Sequence, residues 1–170
     1  QINKIEGLKR IRLGSLEPKL INEQFISRLK NIEKLCHHFH LSLQSGNDKT
    51  LRDMNRRYTV QEFEEAVNTL RTTYKDTILT IDIIVGFPGE IDEDFEKTYK
   101  YLEKINLYKM HIFKYSPKKG TVAEKMPMQI DGNVKEERSK MLIKLSNKNQ
   151  IKYNKEYIGK DVLVLIEEKV

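Results

Sequence analysis

The chain has 170 residues, 33% of them charged and 38% hydrophobic, and Lys plus Arg outnumber Asp plus Glu by 31 to 25. This length suits one domain with part of a second, and the apolar content excludes a disordered chain. No apolar stretch approaches the roughly 18–20 residues of a membrane helix. The single cysteine, Cys36, excludes an internal disulfide framework and an iron–sulfur site built by this chain alone. We therefore expect a reduced, cytoplasmic setting and no membrane partner.

Hydrophobic periodicity predicts strands that alternate with helices. The strands are expected at 10–16, 37–43, 77–85 and 108–115, and the helices at 22–31, 48–54, 60–75, 92–106 and 133–156. Turn-forming residues follow the second and third strands, at 45–48 and 86–89. Because strands that alternate with helices form parallel sheets with right-handed crossovers, the predicted fold class is α/β.

The long last helix is expected to have an apolar inner face and a basic outer face. The inner residues are predicted to be Val134, Met141, Leu142 and Leu145. The outer residues are predicted to be Lys135, Arg138, Lys140, Lys144, Lys148, Lys152 and Lys155. Gly159 is expected to end this helix, and 161–166 predicts one more strand that has no partner left in the chain. We accordingly expect one domain over 1–157 and the truncated start of another over 158–170.

Ligand sites of parallel α/β folds form at the carboxyl ends of strands. Side chains alternate along a strand, so one face of the second strand carries His38, His40, Ser42 and Gln44. The opposite, apolar face is expected to meet the helices, which leaves the polar face toward a solvated or ligand-filled interior. Gly86, at the end of the third strand, lets a ligand approach the backbone closely. A polar wall beside a glycine suits a flat heteroaromatic ligand.

Each of these features also has a plainer interpretation. His38 and His40, without a third ligand in register, are more often satisfied core residues than zinc ligands. The segment 86–89 is also typical of a simple strand-to-helix turn, and a basic helix face is usually a solvated surface. The net charge of +6 does not by itself indicate a nucleic acid. The sequence has no P-loop, no G-x-G-x-x-G and no nucleophile elbow, which argues against nucleotide triphosphate, dinucleotide and hydrolase sites.

Five motifs, in this order and spacing, resemble a known family. They are Arg10-Ile-Arg-Leu-Gly-Ser-Leu-Glu-Pro18, His40-Leu-Ser-Leu-Gln-Ser-Gly46, Met54-Asn-Arg-Arg-Tyr-Thr59, Asp82-Ile-Ile-Val-Gly-Phe-Pro-Gly-Glu90, and His111-Ile-Phe-Lys-Tyr-Ser116 with Gly120-Thr121. Over residues 8–170 the chain resembles the radical S-adenosylmethionine methylthiotransferases. Its Ser-Leu-Glu-Pro motif is most similar to the branch that acts on N6-threonylcarbamoyladenosine in tRNA.

The resemblance implies a fold and a reaction. The fold would be the C-terminal half of a partial TIM-type (βα)6 radical SAM barrel, followed by the start of an RNA-holding C-terminal β domain (TRAM). The family cleaves S-adenosylmethionine reductively and uses the 5′-deoxyadenosyl radical to replace a hydrogen on an adenine carbon by a methylthio group. The implied target is C2 of threonylcarbamoyladenosine beside the anticodon. The implied cofactors are S-adenosylmethionine and two 4Fe-4S clusters with ligands outside this chain, so the chain alone is expected to be inactive.

The motif positions also imply roles for individual residues. The ribose and methionine parts of the cofactor would meet Ser15, Glu17, Gln44 and Ser45. Arg56 would bind its carboxylate, because a guanidinium fork matches two carboxylate oxygens. The adenine would pack on Ile84 and Gly86, with Phe113 and Tyr115 shaping the far wall. The phosphates of the tRNA anticodon loop would meet Lys118, Lys119 and Lys148.

The chain departs from the family pattern at two positions. Lys118 stands where an Arg is usual, which keeps the charge but loses bidentate geometry. Ile91 stands where a Thr commonly caps the following helix, so Glu90 or Asp92 is expected to cap it instead.

Two other functions stay open. One is a methylthiotransferase acting on isopentenyladenosine in tRNA or on a ribosomal protein. The other is a non-enzymatic nucleic-acid-binding module, which needs no polar inner wall and whose basic residues should form one patch. The first strand is expected to be an open edge, and we expect two copies of the chain to form a homodimer through that edge or the bared inner wall.

Overall fold

The computed structural model describes residues 2–162, and its centre is a parallel sheet. Four strands lie side by side in chain order: β1 (Ile11–Leu16), β2 (Leu35–Gln44), β3 (Ile78–Val85) and β4 (Lys109–Lys114). Every neighbouring pair is parallel. Parallel neighbours require crossover connections, and helices supply them here. The predicted α/β class is confirmed.

The helices that connect the strands are α1 (Glu23–Leu29), α2 (Asp48–Asp53), α3 (Val60–Thr73) and α4 (Asp92–Ile105), and α5 (Gly132–Lys155) follows the last strand. Apolar residues of α1, α3, α4 and α5 pack with one face of the sheet into a single core. On β2 this face is formed by the fully buried Phe39, Leu41 and Leu43, and the alternate residues His38 and His40 remain partly exposed on the other face. The predicted alternation along β2 is confirmed.

The start of α4 differs from the expectation. Neither Glu90 nor Asp92 caps this helix: the N–H of Ile91 instead donates to Oδ2 of Asp94 at 3.4 Å, one turn into the helix. The Glu90 carboxylate turns back toward Gly86, and Asp92 accepts from the guanidinium of α5 residue Arg138. The predicted caps were wrong because both carboxylates are taken by tertiary partners.

The faces of α5 were predicted only in part. Leu142 and Leu145 are buried as expected, but Met141 is 48% exposed and Arg138, predicted to point outward, is 5% exposed. Helix α5 ends at Lys155, and Gly159, at φ +79°, closes the turn that follows. The helix lies along β4, the last strand of the described sheet, so its buried face includes polar residues that bond to that strand.

Strand β1 is bonded to β2 on one side and lies at the edge of the described sheet, as predicted. The strand predicted at 161–166 falls almost entirely in 163–170, outside the described residues, so it and the second domain stay predictions. Within residues 2–162, every helix is too short or too polar to cross a membrane.

Candidate functional site

The carboxyl ends of the strands form one edge of the sheet, which we call the carboxyl edge. Its backbone is left-handed at the ends of three successive strands, at Ser15 (φ +55°), Gln44 (φ +70°) and Gly86 (φ +72°). Only glycine adopts this conformation freely, so Ser15 and Gln44 store strain of about 1–3 kcal/mol each. The β1–β2 and β2–β3 ladders shift register at the same level. Strain of this kind is typical of functional sites, and the sequence did not predict it.

The β3 and β4 side of the carboxyl edge brings Gly86 and Tyr115 together. The N–H of Tyr115 donates to the carbonyl of Val85 at 2.9 Å, which continues the ladder past the last strand residues. The Tyr115 ring meets Phe87 edge-on at 5.2 Å between centroids. Its hydroxyl is buried and has no hydrogen-bond partner in the part of the chain that the structure describes. Ile84 is partly exposed two residues before Gly86, and Phe113, paired with it, is exposed.

Arg56 lies on the β1 and β2 side of the carboxyl edge. The segment that carries it is anchored by Tyr58, to which the sequence pattern assigned no role. Tyr58 is almost fully buried, and its hydroxyl donates to the carbonyls of Ser42 at 2.7 Å and Leu43 at 3.2 Å. This contact fixes the segment after α2 against the end of β2. Nε of Arg56 is buried without a partner among residues 2–162. A tyrosine two residues after Arg56 was visible in the motif, but its anchoring bonds require the fold.

The charges of Glu17 and Arg56 both act on Tyr58. Burial, the largest cause, raises the pKa of Tyr58 to about 12; the Glu17 carboxylate adds to the rise and the Arg56 guanidinium opposes it. Glu17 and Ser15 are themselves exposed, whereas Gln44 is buried. The structure therefore places Ser15, Glu17, Gln44 and Arg56 around neighbouring strand ends.

Ser45 does not join this group. It is only 2% exposed, its Oγ lies 3.3 Å from Oγ1 of Thr98 on α4, and it accepts from the N–H of Asn47. The next residue, Gly46, packs so closely on α4 that an added Cβ would lie 3.0 Å from Cα of Thr98. The turn thus serves helix packing, and Ser45 faces α4 instead of the position at which it was expected to meet the ribose and methionine parts of the cofactor.

The three lysines predicted to meet RNA do not form one patch. Lys118 and Lys119 are exposed in the segment that follows β4. Lys148 is exposed on α5, thirteen residues beyond Lys135, which reaches the carboxyl edge. At the rise of an α-helix this separation is roughly 20 Å, toward the amino ends of the strands. Lys148 also faces Glu103, with 3.8 Å between Nζ and Oε1.

The open face of the sheet is polar, as predicted, and protein groups satisfy both ring nitrogens of His40. His40 has Oγ1 of Thr80 at 2.9 Å from Nδ1 and Oδ2 of Asp82 at 3.1 Å from Nε2. Burial first, and then the charge of Arg12, lowers the pKa of His38 and favours a neutral ring. Within residues 2–162 no three His, Cys, Asp or Glu side chains are placed to hold a metal.

A cavity of about 650 Å³ lies on this face, toward the amino ends of the strands. It is lined by Arg12, Gly14, Cys36, His38, His40, Thr80, Tyr108, Lys109 and His111. The residues predicted to bind the cofactor lie at the carboxyl edge, outside this lining.

Comparison with known proteins identifies the family. The Radical SAM superfamily pattern matches residues 2–102, more than half of the chain. This chain belongs to the radical SAM superfamily. It is similar to the tRNA-2-methylthio-N(6)-dimethylallyladenosine synthase of Thermoanaerobacter sp., with 42% identity over 167 residues, covering 98% of this chain and 36% of that protein. It is also similar to the threonylcarbamoyladenosine tRNA methylthiotransferase MtaB of Thermotoga maritima, with 39% identity over 166 residues, covering 98% and 38%.

The radical SAM chain thus spans little more than a third of these relatives. A solved structure, the radical SAM enzyme coproporphyrinogen III oxidase of Escherichia coli, superposes with a TM-score of 0.68 at 19% identity, over 82% of this chain and 32% of that one. At this identity the likeness concerns the fold alone. The predicted membership of the radical SAM superfamily and the partial radical SAM fold are confirmed, and the methylthiotransferase branch stays a prediction.

Proposed function

We propose that this chain is part of a tRNA methylthiotransferase that works by radical SAM chemistry. The observation that carries the proposal is 39–42% identity, over 98% of the chain, to two proteins whose names describe methylthio transfer to tRNA. A nucleic-acid-binding module without catalysis does not account for a strained carboxyl edge with buried, unpartnered polar atoms.

The proposed target is C2 of threonylcarbamoyladenosine beside the anticodon. The Ser15-Leu-Glu-Pro18 motif and the similarity to MtaB support this substrate. The 42% identity to a dimethylallyladenosine synthase favours the isopentenyl (dimethylallyl) substrate as the second candidate.

S-adenosylmethionine suits the carboxyl edge. The buried Tyr115 hydroxyl and Arg56 Nε have no partners within residues 2–162, and they lie on the β4 and β2 sides of this edge. Ser15, Glu17 and Gln44 are proposed to meet the ribose and methionine parts and Arg56 the carboxylate. The adenine is proposed to pack on Ile84, Gly86 and the far wall at Tyr115. When bound, S-adenosylmethionine supplies the radical that removes hydrogen from the substrate carbon.

The remaining partners are proposed from the family. Two 4Fe-4S clusters would have their ligands outside this chain, so the chain by itself would be inactive. Lys118 and Lys119, near the carboxyl edge, are proposed to meet the tRNA phosphates, and Lys148 would meet them at a separate point on α5. Residues 158–170 are proposed to begin an RNA-holding β domain.

The test uses the full-length protein that contains this sequence, with reconstituted clusters, S-adenosylmethionine and tRNA from cells that lack the modification. Mass spectrometry of the digested nucleosides should show the methylthio form of threonylcarbamoyladenosine. Arg56→Met should reduce turnover strongly, whereas Arg57→Met, at an exposed neighbour, should not. The methylthio form of dimethylallyladenosine would establish the second candidate, and no methylthio nucleoside at all would refute the proposed function.

A further inference from the structure

The first turns of α5 contact the carboxyl edge through two residues spaced three apart, Lys135 and Arg138. The methylenes of Lys135 fill the space beside Gly86, where any Cβ would collide with them. Nζ of Lys135 donates to the carbonyl of Tyr115 at 3.3 Å. Residues three apart lie on one face of a helix, so α5 presents both side chains to the same strand ends. Because Gly86 has no side chain, α5 can pack this closely against the end of β3.

Arg138 binds the turn that follows β3 with both ends of its guanidinium. Nη1 donates to the carbonyl of Glu90 at 2.9 Å and to Oε1 of the same residue at 3.0 Å. Nη2 donates to Oδ1 of Asp92 at 2.7 Å. The guanidinium carbon also lies 5.2 Å from the centroid of the Phe95 ring. A planar fork with three acceptors fixes distances and angles together, which a single ammonium cannot do.

The Glu90 carboxylate passes this contact on to the carboxyl edge. Its Oε1 faces Arg138, and its Oε2 accepts from the N–H of Gly86 at 3.0 Å. Glu90 is 4% exposed, so water does not replace either partner. Burial raises the pKa of Glu90 to about 7, while Arg138 and the N–H groups of Gly86 and Phe87 oppose that rise. The bonds thus run from α5 through one carboxylate to the strand end.

We propose that Arg138 is a positioning residue: acting through Glu90, it holds the backbone of Gly86 and Phe87 in the geometry with which the carboxyl edge takes up S-adenosylmethionine. This inference rests on the proposed function and adds two residues that the motif comparison did not assign a cofactor role.

A buried ion pair is weak evidence of stabilisation, because well-packed apolar residues of similar volume are often as stable. The Arg138–Glu90 pair lies directly on the backbone of the proposed ligand-binding turn. Its role is therefore explained by positioning that backbone. Helix anchoring alone would predict that loss of Arg138 weakens the fold without a selective effect on the cofactor. The two explanations are therefore separable by measurement.

The first measurement is kinetic and uses the full-length enzyme. Arg138→Met should raise KM for S-adenosylmethionine about tenfold and leave kcat within about twofold, because the amides are displaced but the reacting groups remain. Arg138→Lys, which keeps the charge and loses the fork, should give an intermediate KM. Lys100→Met serves as the control, since Lys100 is an exposed α4 residue paired with Glu96.

The second measurement uses the 170-residue chain and needs no activity. The amide resonances of Gly86 and Phe87 should shift in Arg138→Met and stay in place in Lys100→Met. If Arg138→Met does not fold, the double variant Glu90→Gln with Arg138→Met takes its place, because it leaves no unpaired buried charge. The glutamine carbonyl can still accept from Gly86, but without the fork KM should remain raised.

Unmoved amides in a folded variant, or an unchanged KM, would overturn the proposal, as would equal effects of Arg138→Met and Lys100→Met. An inactive wild-type enzyme would refute the proposed function instead, and the resonances would then still report whether Arg138 sets the Gly86 backbone.

Discussion

At the scale of single residues, the pKa of the Glu90 carboxyl group is subject to opposing influences. Arg138 and two backbone N–H groups favour its charged form, and burial favours its neutral form. Burial is the larger effect, so the pKa of Glu90 rises from 4.5 to about 7. The folded protein therefore holds a proton that the unfolded chain releases at a lower pH.

This proton has a measurable consequence for stability. Since the folded state binds more protons between about pH 4.5 and 7, the contribution of Glu90 to the free energy of unfolding should fall as pH rises through that window and stay level above it. The rise in the pKa from 4.5 to about 7 corresponds to roughly 3 kcal/mol. Urea unfolding of Glu90→Gln should lack this fall, and the exposed neighbour variant Glu93→Gln should retain it. Parallel pH profiles for wild type and Glu90→Gln would contradict the assignment.

At the scale of elements, α5 closes the β4 side of the sheet with polar groups. The buried Ser146 Oγ accepts from the N–H of Met110 at 3.0 Å, and Nδ2 of Asn149 donates to the carbonyl of Leu107 at 3.0 Å. An edge strand leaves a row of unpaired backbone groups, and helix side chains satisfy part of that row here. The buried face of α5 therefore includes polar residues. This explains why the apolar periodicity of the sequence predicted that face only in part.

Removing one of these bonds should destabilise the chain. Ser146→Ala leaves the buried N–H of Met110 without its acceptor and should lower the free energy of unfolding by about 1–3 kcal/mol. Hydrogen exchange at the Met110 amide should quicken at the same time. Asn147→Ala, on the exposed side of α5, is the matched control and should change neither quantity. A Ser146→Ala variant with unaltered exchange at Met110 would mean that this bond is not formed in solution.

At the scale of the whole molecule, the described sheet is open on the β1 side. Its polar open face and the outer edge of β1 have no covering element within residues 2–162. Closed barrels have no such edges, and open edges favour pairing with another strand. The relatives are nearly three times as long as this chain, so the remaining length is available to cover that side in them.

Produced alone, the 170-residue chain should therefore form a dimer. The N–H of Ile11 donates to Lys34 on the β2 side, so the N–H of Arg12 points to the open side. Arg12→Pro removes that outward donor together with the side chain and should yield a monomer, whereas Arg12→Ala, which removes the side chain alone, should still dimerise. Light scattering distinguishes the two. A dimer that survives Arg12→Pro would indicate association through the open face of the sheet, and a monomeric wild type at high concentration would contradict the prediction.

The sequence by itself determined the order of strands and helices, the buried alternation along β2 and, through five motifs, the family. These properties depend on neighbouring residues or on the order of motifs along the chain. Hydrophobic periodicity and motif spacing are therefore enough to predict them. Only the tertiary structure decided that Arg138 is buried, that Ser45 turns toward α4 and that Lys148 lies away from the carboxyl edge. Each of those outcomes depends on where α4 and α5 come to rest on the sheet. That position is set by packing and by bonds between residues as distant in sequence as Glu90 and Arg138, which no local pattern contains.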